Sequence, residues 1–379
     1  MTVDLARDFP RLAATRIALT HDWLTGFGGA ERCLEVFAGL FPSAPIFTSI
    51  YDSGRFAATF PPDRVRTSAL QRFPGAARRY RSLLPLMPTA FRGLDLSDHD
   101  LVLASSHAFS KAVRLTPKQR LVCYCYTPIR YLWGERQDEY RQAVPPWQRA
   151  LAAGVVGPLR NADLAAARRV DQFIAISEEV RGRIQRHYSR DSEVLYPPVF
   201  TDRWTPAPNP SRDYFLVVSR FVPYKRVDLA VAACAELGLP LWVVGTGPEG
   251  ARVRAAAARG GDPSCVTFLG FVPEGELSEL YANARALIFT AHEDFGLVPL
   301  EANACGTPVI AYAGGGALET VVPGVTGEFF REQTVASLKA VLRGFDGSRY
   351  GPAALRAHAM TFDRAPFERR LCELLEAGM

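Results

Sequence analysis

A chain of 379 residues is long enough for two domains with separate cores, and a composition 48% hydrophobic and 22% charged is that of an ordinary globular protein. No apolar run approaches the roughly 18–20 residues of a membrane span, and the start Met-Thr-Val-Asp-Leu-Ala-Arg-Asp lacks the basic-then-apolar pattern of a secretory signal. The net charge is only +5, and nothing resembles a nucleic-acid-binding module, which argues against a nucleic-acid partner.

The seven cysteines (33, 123, 125, 234, 265, 305, 372) form no C-x-x-C pair. An odd, scattered set suits reduced thiols in the cytoplasm. Cys123 and Cys125 share one face of a strand-like run, where packing is the simpler reading than metal ligation.

In chain order, the first strand pattern is Arg16-Ile-Ala-Leu-Thr20. It runs into Thr20-His-Asp-Trp-Leu-Thr-Gly26-Phe-Gly28-Gly29-Ala-Glu31, which opens a helix. Paired glycines at a helix start let backbone N–H groups approach an anion, although tight-turn glycines would look the same. Pro45-Ile-Phe-Thr48 follows. Arg64, Arg66, Arg72, Arg78, Arg79, Arg81 and Arg92 then occur with no acid among residues 64–92. They are interleaved with Phe73, Tyr80, Leu84, Leu86, Met87 and Phe91. That mixture suits a face resting on anionic lipid, where each nearby cation contributes roughly 1 kcal/mol. A basic solvated helix pair over a core is the alternative.

Leu101-Val-Leu-Ala104 delivers Ser105-Ser106-His107 just past a strand end, where a histidine could meet a sugar hydroxyl or serve structure alone. Leu121–Cys125 and Phe173–Ile176 complete the first half. The proline-dense Tyr196-Pro-Pro-Val-Phe200 and Trp204-Thr-Pro-Ala-Pro-Asn-Pro210 read as a linker. Strand patterns resume at Tyr214–Val218, Leu241–Val244, Val266–Leu269, Leu287–Thr290 and Val309–Tyr312. Strands alternating with helices predict two α/β domains with parallel sheets, and the cleft between them is the default ligand site.

After the strand at 214–218 comes Ser219-Arg220-Phe-Val-Pro-Tyr-Lys225-Arg226. Arg220 offers a planar fork for a diphosphate and Lys225 a movable charge; either alone could be a solvent-facing cation. After the strand at 287–290 comes Glu293-Asp-Phe-Gly-Leu-Val-Pro-Leu-Glu301. Pro299 suits the first position of a helix, which would put Glu301 in the first turn and let Gly306 end it. Glu293 and Glu301 would then meet beside a positive helix end, with Gly296 allowing close backbone approach. Gly314-Gly-Gly316 and Gly245-Thr-Gly247 are further strand-end turns. Dispersed histidines, no Asp-x-Asp and no H-E-x-x-H helix give little support to a metal site. No G-x-S-x-G elbow is present.

Together these segments resemble glycosyltransferase family 4, over about residues 15–335. Glu293…Glu301 matches its Glu-x7-Glu motif, and Arg220…Lys225 its diphosphate-binding pair. His21-Asp-Trp-Leu-Thr-Gly, Ser106-His107, Tyr126-Thr-Pro-Ile-Arg130-Tyr, Val222-Pro-Tyr-Lys-Arg226 and Glu293-Asp-Phe-Gly are similar to bacterial GDP-mannose-dependent mannosyltransferases of O-antigen and exopolysaccharide assembly.

The resemblance implies a GT-B fold, two Rossmann-like domains facing across a cleft. Residues 1–200 would bind the acceptor, 201–363 the nucleotide-sugar donor, and a final helix at about 364–379 would pack back near the first domain. It implies retaining transfer of a hexose, with GDP-mannose as donor, a saccharide or polyprenyl-diphosphate-linked oligosaccharide as acceptor, and no metal. Glu301 would hold the ribose. Arg220 and Lys225 would stabilise the leaving diphosphate. Glu293 and the backbone of Phe295, Gly296 and Leu297 would grip the transferred sugar, with His107 near its reacting face. Gly28 and Gly29 would line the phosphate and acceptor side, and the Gly270-Phe271-Val272 turn would meet the nucleobase. Such an enzyme would be cytoplasmic, peripheral at the inner membrane face through the Arg-rich 64–92 segment.

Two positions depart from the pattern: Tyr126, where a histidine is expected, and Ile176-Ser177, where Asn-Ser is more usual. Two other readings remain: a nucleotide-sugar epimerase or hydrolase, and a non-catalytic donor-binding subunit of a polysaccharide-assembly complex.

Overall fold

The computed structural model describes residues 3–133 and 146–379, with the side chains of 146–153 excepted. Two compact units result: Met1–Tyr196 together with Phe367–Met379, and Pro197–Pro366.

The first unit is built on a seven-stranded sheet in the order β3-β2-β1-β4-β5-β6-β7. Its strands are β1 Ile17–His21, β2 Ile46–Thr48, β3 Val65–Thr67, β4 Leu101–Ser106, β5 Arg120–Cys125, β6 Gln172–Ala175 and β7 Ser192–Val194. Every residue of β1 and β4 is buried, as expected for central strands of a parallel sheet covered on both faces. Their register runs from Ile17 opposite Leu101 to His21 opposite Ser105. Helix α1, Gly29–Leu40, follows β1 and buries Cys33, Leu34, Val36, Phe37 and Leu40, an apolar stripe at helical spacing. Helix α2 is Pro146–Ala167 and helix α3 is Glu178–Tyr188.

The second unit has a six-stranded sheet ordered β10-β9-β8-β11-β12-β13. The strands are β8 Phe215–Val218, β9 Leu241–Val244, β10 Val266–Gly270, β11 Ala286–Phe289, β12 Val309–Tyr312 and β13 Gly327–Phe330. All pairings in both sheets are parallel. Helix α4, Val227–Leu237, lies over this sheet, its Val227, Ala230, Val231 and Cys234 packing with Phe215, Val217 and Ile288. Helix α5 is Leu297–Ala304.

Strand order reverses between β1 and β4 in one sheet and between β8 and β11 in the other. In open α/β sheets such reversals leave a crevice beyond the carboxyl ends of the strands, because the flanking connections depart to opposite faces. The segments after β1, β4, β8 and β11 are the ones in which sequence placed chemistry.

Three strands escaped the sequence pattern: β3, β7 and β13. Each lies at or toward a sheet edge, and β3 and β7 have only three residues with polar side chains among them. Such strands show no apolar run because one side is open to solvent.

Candidate functional site

In the first unit the loop after β1 and the loop after β4 are tied by one carboxylate. Asp22 is fully buried. Its Oδ2 accepts from the backbone N–H groups of His107 (2.7 Å) and Ala108 (2.9 Å), and its Oδ1 from Ser110 (2.6 Å). His107 Nδ1 lies 3.2 Å from Asp22 Oδ2. Burial acts to raise the Asp22 pKa, but the imidazoles of His107 and His21 and the backbone donors outweigh it and hold it below the usual aspartate value. Burial pulls the His107 imidazole below its ordinary value, against the opposing pull of Asp22. His107 is thus fixed through its own backbone, and Asp22, to which sequence gave no role, is what fixes it.

A second chain of polar contacts runs alongside. The register that sets His21 beside Ser105 lets His21 Nδ1 hydrogen-bond Ser105 Oγ at 2.9 Å. On its other side His21 Nε2 lies 3.5 Å from Glu31 Oε1, in the first turn of α1. Burial would raise the Glu31 pKa, yet the hydrogen bond and charge of His21 hold it low. Ser105 Oγ continues to the Tyr126 hydroxyl at 2.9 Å, which donates to Ala30 O at 3.0 Å. Tyr126, the residue standing where a histidine was expected, therefore tethers the N-terminal turn of α1. Gly28 caps that helix in extended conformation with no side-chain cap, so Gly28 and Gly29 present bare backbone there. The other departure has a plain structural role: Ser177 N-caps α3, its Oγ accepting from Val180 N–H at 3.1 Å, and Ile176 is buried beside it.

The second unit holds the other cluster. Arg220 is exposed, and its side chain has no hydrogen-bond or ion-pair partner among the described residues. Its loop is held by close approach of glycines. A Cβ on Gly245 would sit 1.8 Å from Ser219 O, and one on Gly247 would sit 2.4 Å from Phe221 O. Lys225 does not stand free as a lone cation: its Nζ pairs with Glu293, and its carbonyl accepts from Thr290 Oγ1 at 2.7 Å. The two strand-end loops are thereby joined.

The loop after β11 corrects the sequence reading. Helix α5 begins at Leu297, two residues before Pro299, with Gly296 as its cap at φ 91°. A proline at the third position is tolerated because first-turn N–H groups have no intrahelical acceptor. Glu301 consequently falls in the second turn, not the first, and its Oε2 accepts from Tyr281 OH at 3.0 Å. Glu293 and Glu301 are thus held by different partners. Gly306 does end the helix, at φ 73°, its N–H bonding Asn303 O while Thr307 N–H bonds Ala302 O.

Gly314–Gly316 is a packing surface for that loop. Gly316 N–H donates to Glu293 O at 2.8 Å, and Cβ atoms on Gly315 and Gly316 would lie 2.2 Å from Glu293 O and 2.1 Å from Phe295 Cα. Phe295 is buried. In the turn beyond β10, Gly270 adopts φ 71° and leaves Phe271 82% exposed beside Val272.

The Arg-rich 64–92 segment is a run of short helical turns around β3, not a helix pair. Arg64 is turned inward, donating to Ala38 O, Phe41 O and Ala44 O. Arg72, Arg78, Arg79, Arg81 and Arg92 are exposed, together with Phe73 and Leu86. Leu84, Met87 and Phe91 are buried beneath. No helix among the described residues is long and apolar enough to cross a membrane. Among the described residues no group of three or more His, Cys, Asp or Glu side chains is placed to hold a metal ion. Cys123 and Cys125 are both buried.

Against known proteins, residues 27–203 match the model for Glycosyltransferase Family 4 and residues 199–345 the model for Glycosyl transferases group 1. A D-inositol 3-phosphate glycosyltransferase of Frankia alni is 36% identical over 185 residues, 41% of this chain and 45% of that protein. A GDP-mannose-dependent alpha-(1-6)-phosphatidylinositol monomannoside mannosyltransferase of Mycolicibacterium smegmatis is 32% identical over 183 residues, 41% of this chain and 48% of that protein. The chain thus spans about half the length of these relatives. Among solved structures, Anabaena HepE in complex with UDP superposes with a TM-score of 0.71 at 19% identity, covering 96% of this chain and all of that one.

Proposed function

We propose, for a chain of GT-B fold whose two halves match glycosyltransferase models, that the protein is a retaining hexosyltransferase. The observation that carries the reading is the second-unit cluster. At the β8/β11 reversal Arg220, exposed and without a side-chain partner among the described residues, shares a loop with Lys225, which is bonded to Glu293 across to the neighbouring loop. A planar guanidinium and an ammonium there suit the two phosphates of a nucleotide sugar.

In this reading Glu301, oriented by Tyr281, holds the ribose hydroxyls, and the exposed Phe271 with Val272 meets the base. Glu293 and the backbone of Phe295, Gly296 and Leu297 grip the sugar. The bond from the sugar's anomeric carbon to the diphosphate oxygen breaks, and the new bond to the acceptor hydroxyl forms on the same face. The departing diphosphate oxygen takes the acceptor's proton. Arg220 and Lys225 stabilise the charge that develops on the leaving group, the largest catalytic contribution expected of such a site. They meet it without a divalent ion, so we propose a metal-independent reaction. His107, held by Asp22 in the first unit, contacts the transferred sugar, and the backbone at Gly28 and Gly29 lines the phosphate and acceptor side.

Mannose from GDP-mannose is the donor we favour, a reading supported by the name of the Mycolicibacterium smegmatis relative. The acceptor is a lipid-linked saccharide, approached through the exposed arginines of the 64–92 segment, with Phe73 and Leu86 at an anionic inner membrane face. The test is nucleotide release from GDP-mannose, UDP-glucose, UDP-N-acetylglucosamine and GDP-fucose, with and without EDTA and a membrane lipid extract of the source organism. Lipid-stimulated, EDTA-resistant GDP release from GDP-mannose alone is the expected result. Preference for a UDP-sugar keeps the transferase and overturns the donor. Release independent of lipid makes the protein a hydrolase or epimerase, and donor binding without turnover makes it a non-catalytic subunit.

A further inference from the structure

Beside His107 the first unit carries an aromatic wall to which the reaction above gives no role. Trp23 follows the buried Asp22, and its ring meets the His107 ring edge-on at a centroid distance of 4.6 Å. It also meets Tyr80, the ring centroids 5.0 Å apart at 41°. The Arg81 guanidinium lies 5.5 Å from the Tyr80 ring centre, and Arg81 Nε donates to the Tyr80 hydroxyl at 3.2 Å.

The indole is held firmly but is incompletely covered. Its neighbours in the chain fix the backbone: Ser49 N–H and Oγ both bond Asp22 O, while Leu24 N–H bonds Ile50 O and Leu24 O accepts from Asp52 N–H, each at 2.8 Å. Leu24 is fully buried, whereas Trp23 and Tyr80 are half-buried. The Trp23 indole N–H has no hydrogen-bond partner among the described residues. A half-buried aromatic with a donor left over among the described residues is a poor solution for a core and a good one for a ligand. It offers apolar area at little entropic cost and a polar handle for orientation.

We propose that Trp23 and Tyr80 form a stacking subsite for a pyranose ring of the acceptor, placed next to His107. The inference rests on the transferase reading for the word acceptor, but the ligand class follows from the surface itself. The C–H face of a pyranose packs on an indole or phenol ring, and its hydroxyls can accept from the free indole N–H. Arg81, with the exposed Arg78 and Arg79 on the same short segment, adds positive charge on the Tyr80 side. The subsite therefore favours a saccharide carrying a phosphate or other anion over a neutral one.

The experiment is saturation-transfer NMR on the full chain with methyl α-D-mannopyranoside and with mannose 1-phosphate, comparing wild type, Trp23→Ala, Trp23→Phe, Tyr80→Ala and Arg220→Ala. Signal in wild type and in Arg220→Ala, lost in Trp23→Ala and weakened in Tyr80→Ala, is the expected pattern, with mannose 1-phosphate the stronger binder. No signal in wild type, unchanged signal in Trp23→Ala, or signal lost in Arg220→Ala and kept in Trp23→Ala would overturn it; the last places the sugar in the donor cluster. Should Trp23→Ala fail to fold by circular dichroism, Trp23→Phe with Tyr80→Ala carries the test, because the first keeps an aromatic ring in place and the second removes a ring that is only half-buried. Where turnover is found, Trp23→Phe should raise the acceptor KM about tenfold and leave the donor KM unchanged; equal effects on both would count against the subsite. If no donor is turned over, the binding comparison still decides the inference by itself.

Discussion

The loops beyond β1 and β4 and those beyond β8 and β11 occupy equivalent places in their sheets, yet they treat charge in opposite ways. In the first unit the polar groups are committed to one another. Asp22 collects three backbone N–H groups and His107, while Glu31, His21, Ser105 and Tyr126 form one continuous chain. In the second unit Arg220 is exposed without a side-chain partner among the described residues, and the Lys225–Glu293 pair is partly exposed. A buried network in which most polar groups are paired resists rearrangement, since breaking a link leaves an uncompensated polar group. An exposed cation in a strand-end loop, solvated in the free protein, is available to negative charge from outside the chain. The first unit is thus built for shape and the second for charge. Substitutions in the two should fail differently, one through stability and the other through turnover.

The largest effect expected is on turnover. Arg220→Ala should lower it by roughly 10²–10³-fold, the loss typical for removing one preorganised group that meets transition-state charge. Because Arg220 is exposed and makes no side-chain bond among the described residues, the melting temperature should stay within error of wild type. Wild-type turnover in this variant would remove the diphosphate site from the second-unit cluster. The comparison sharpens with glycines. At Gly316 a Cβ would meet Phe295 Cα at 2.1 Å, a backbone atom that cannot swing aside, so Gly316→Ala should destabilise by about 1–3 kcal/mol and weaken donor binding as the Glu293–Phe295 loop shifts. Gly26→Ala, with nothing within 4 Å, should do neither. Chemical denaturation and nucleotide titration on the pair check this; equal stability of the two variants would show that the loop yields without cost.

Most of the architecture was legible because its cause is local. Apolar runs such as Leu101–Ala104 and Phe215–Val217 are buried, and burial is written in composition. Polar edge strands left no such mark. Arg220, Lys225, Glu293 and Glu301 stood out because they follow strand patterns at the spacing of the resembled family's motifs, but their partners did not. Tyr281, on the helix preceding β11, reaches Glu301 only through the packing of that helix, and the Lys225–Glu293 pair joins loops 68 residues apart. The turn of Glu301 was misplaced because a proline is compatible with several first-turn positions, and only the φ of 91° at Gly296 marks where α5 begins. Asp22 was visible as a letter and invisible as a hub. Its partners are backbone N–H groups 85 to 88 residues away, and a sequence does not display those.

The smallest expected effect is the one that tests whether the first unit's network holds His107 neutral. His107 faces Asp22, His21, Glu31 and Arg130, and burial keeps its pKa in the fold below the 6.5 of a free imidazole. As pH falls through 6.5 the unfolded chain takes up that proton first, which favours unfolding. The stability tied to this group is therefore complete above about pH 6.5 and declines as pH falls toward the folded-state value. Asp22 acts with the same sign but lower on the scale: its folded pKa lies below 3.8, so its contribution persists until the medium is more acidic than that. Melting temperature measured from pH 7.5 to 5.0 should then fall in wild type and fall less steeply in His107→Gln, which keeps the backbone N–H donated to Asp22 but has no proton to gain. Parallel slopes would mean that His107 titrates in the fold as it does in the unfolded chain. The polar contacts around it would then be geometric neighbours without electrostatic consequence, and the contrast between a shape-built unit and a charge-built one would lose its first half.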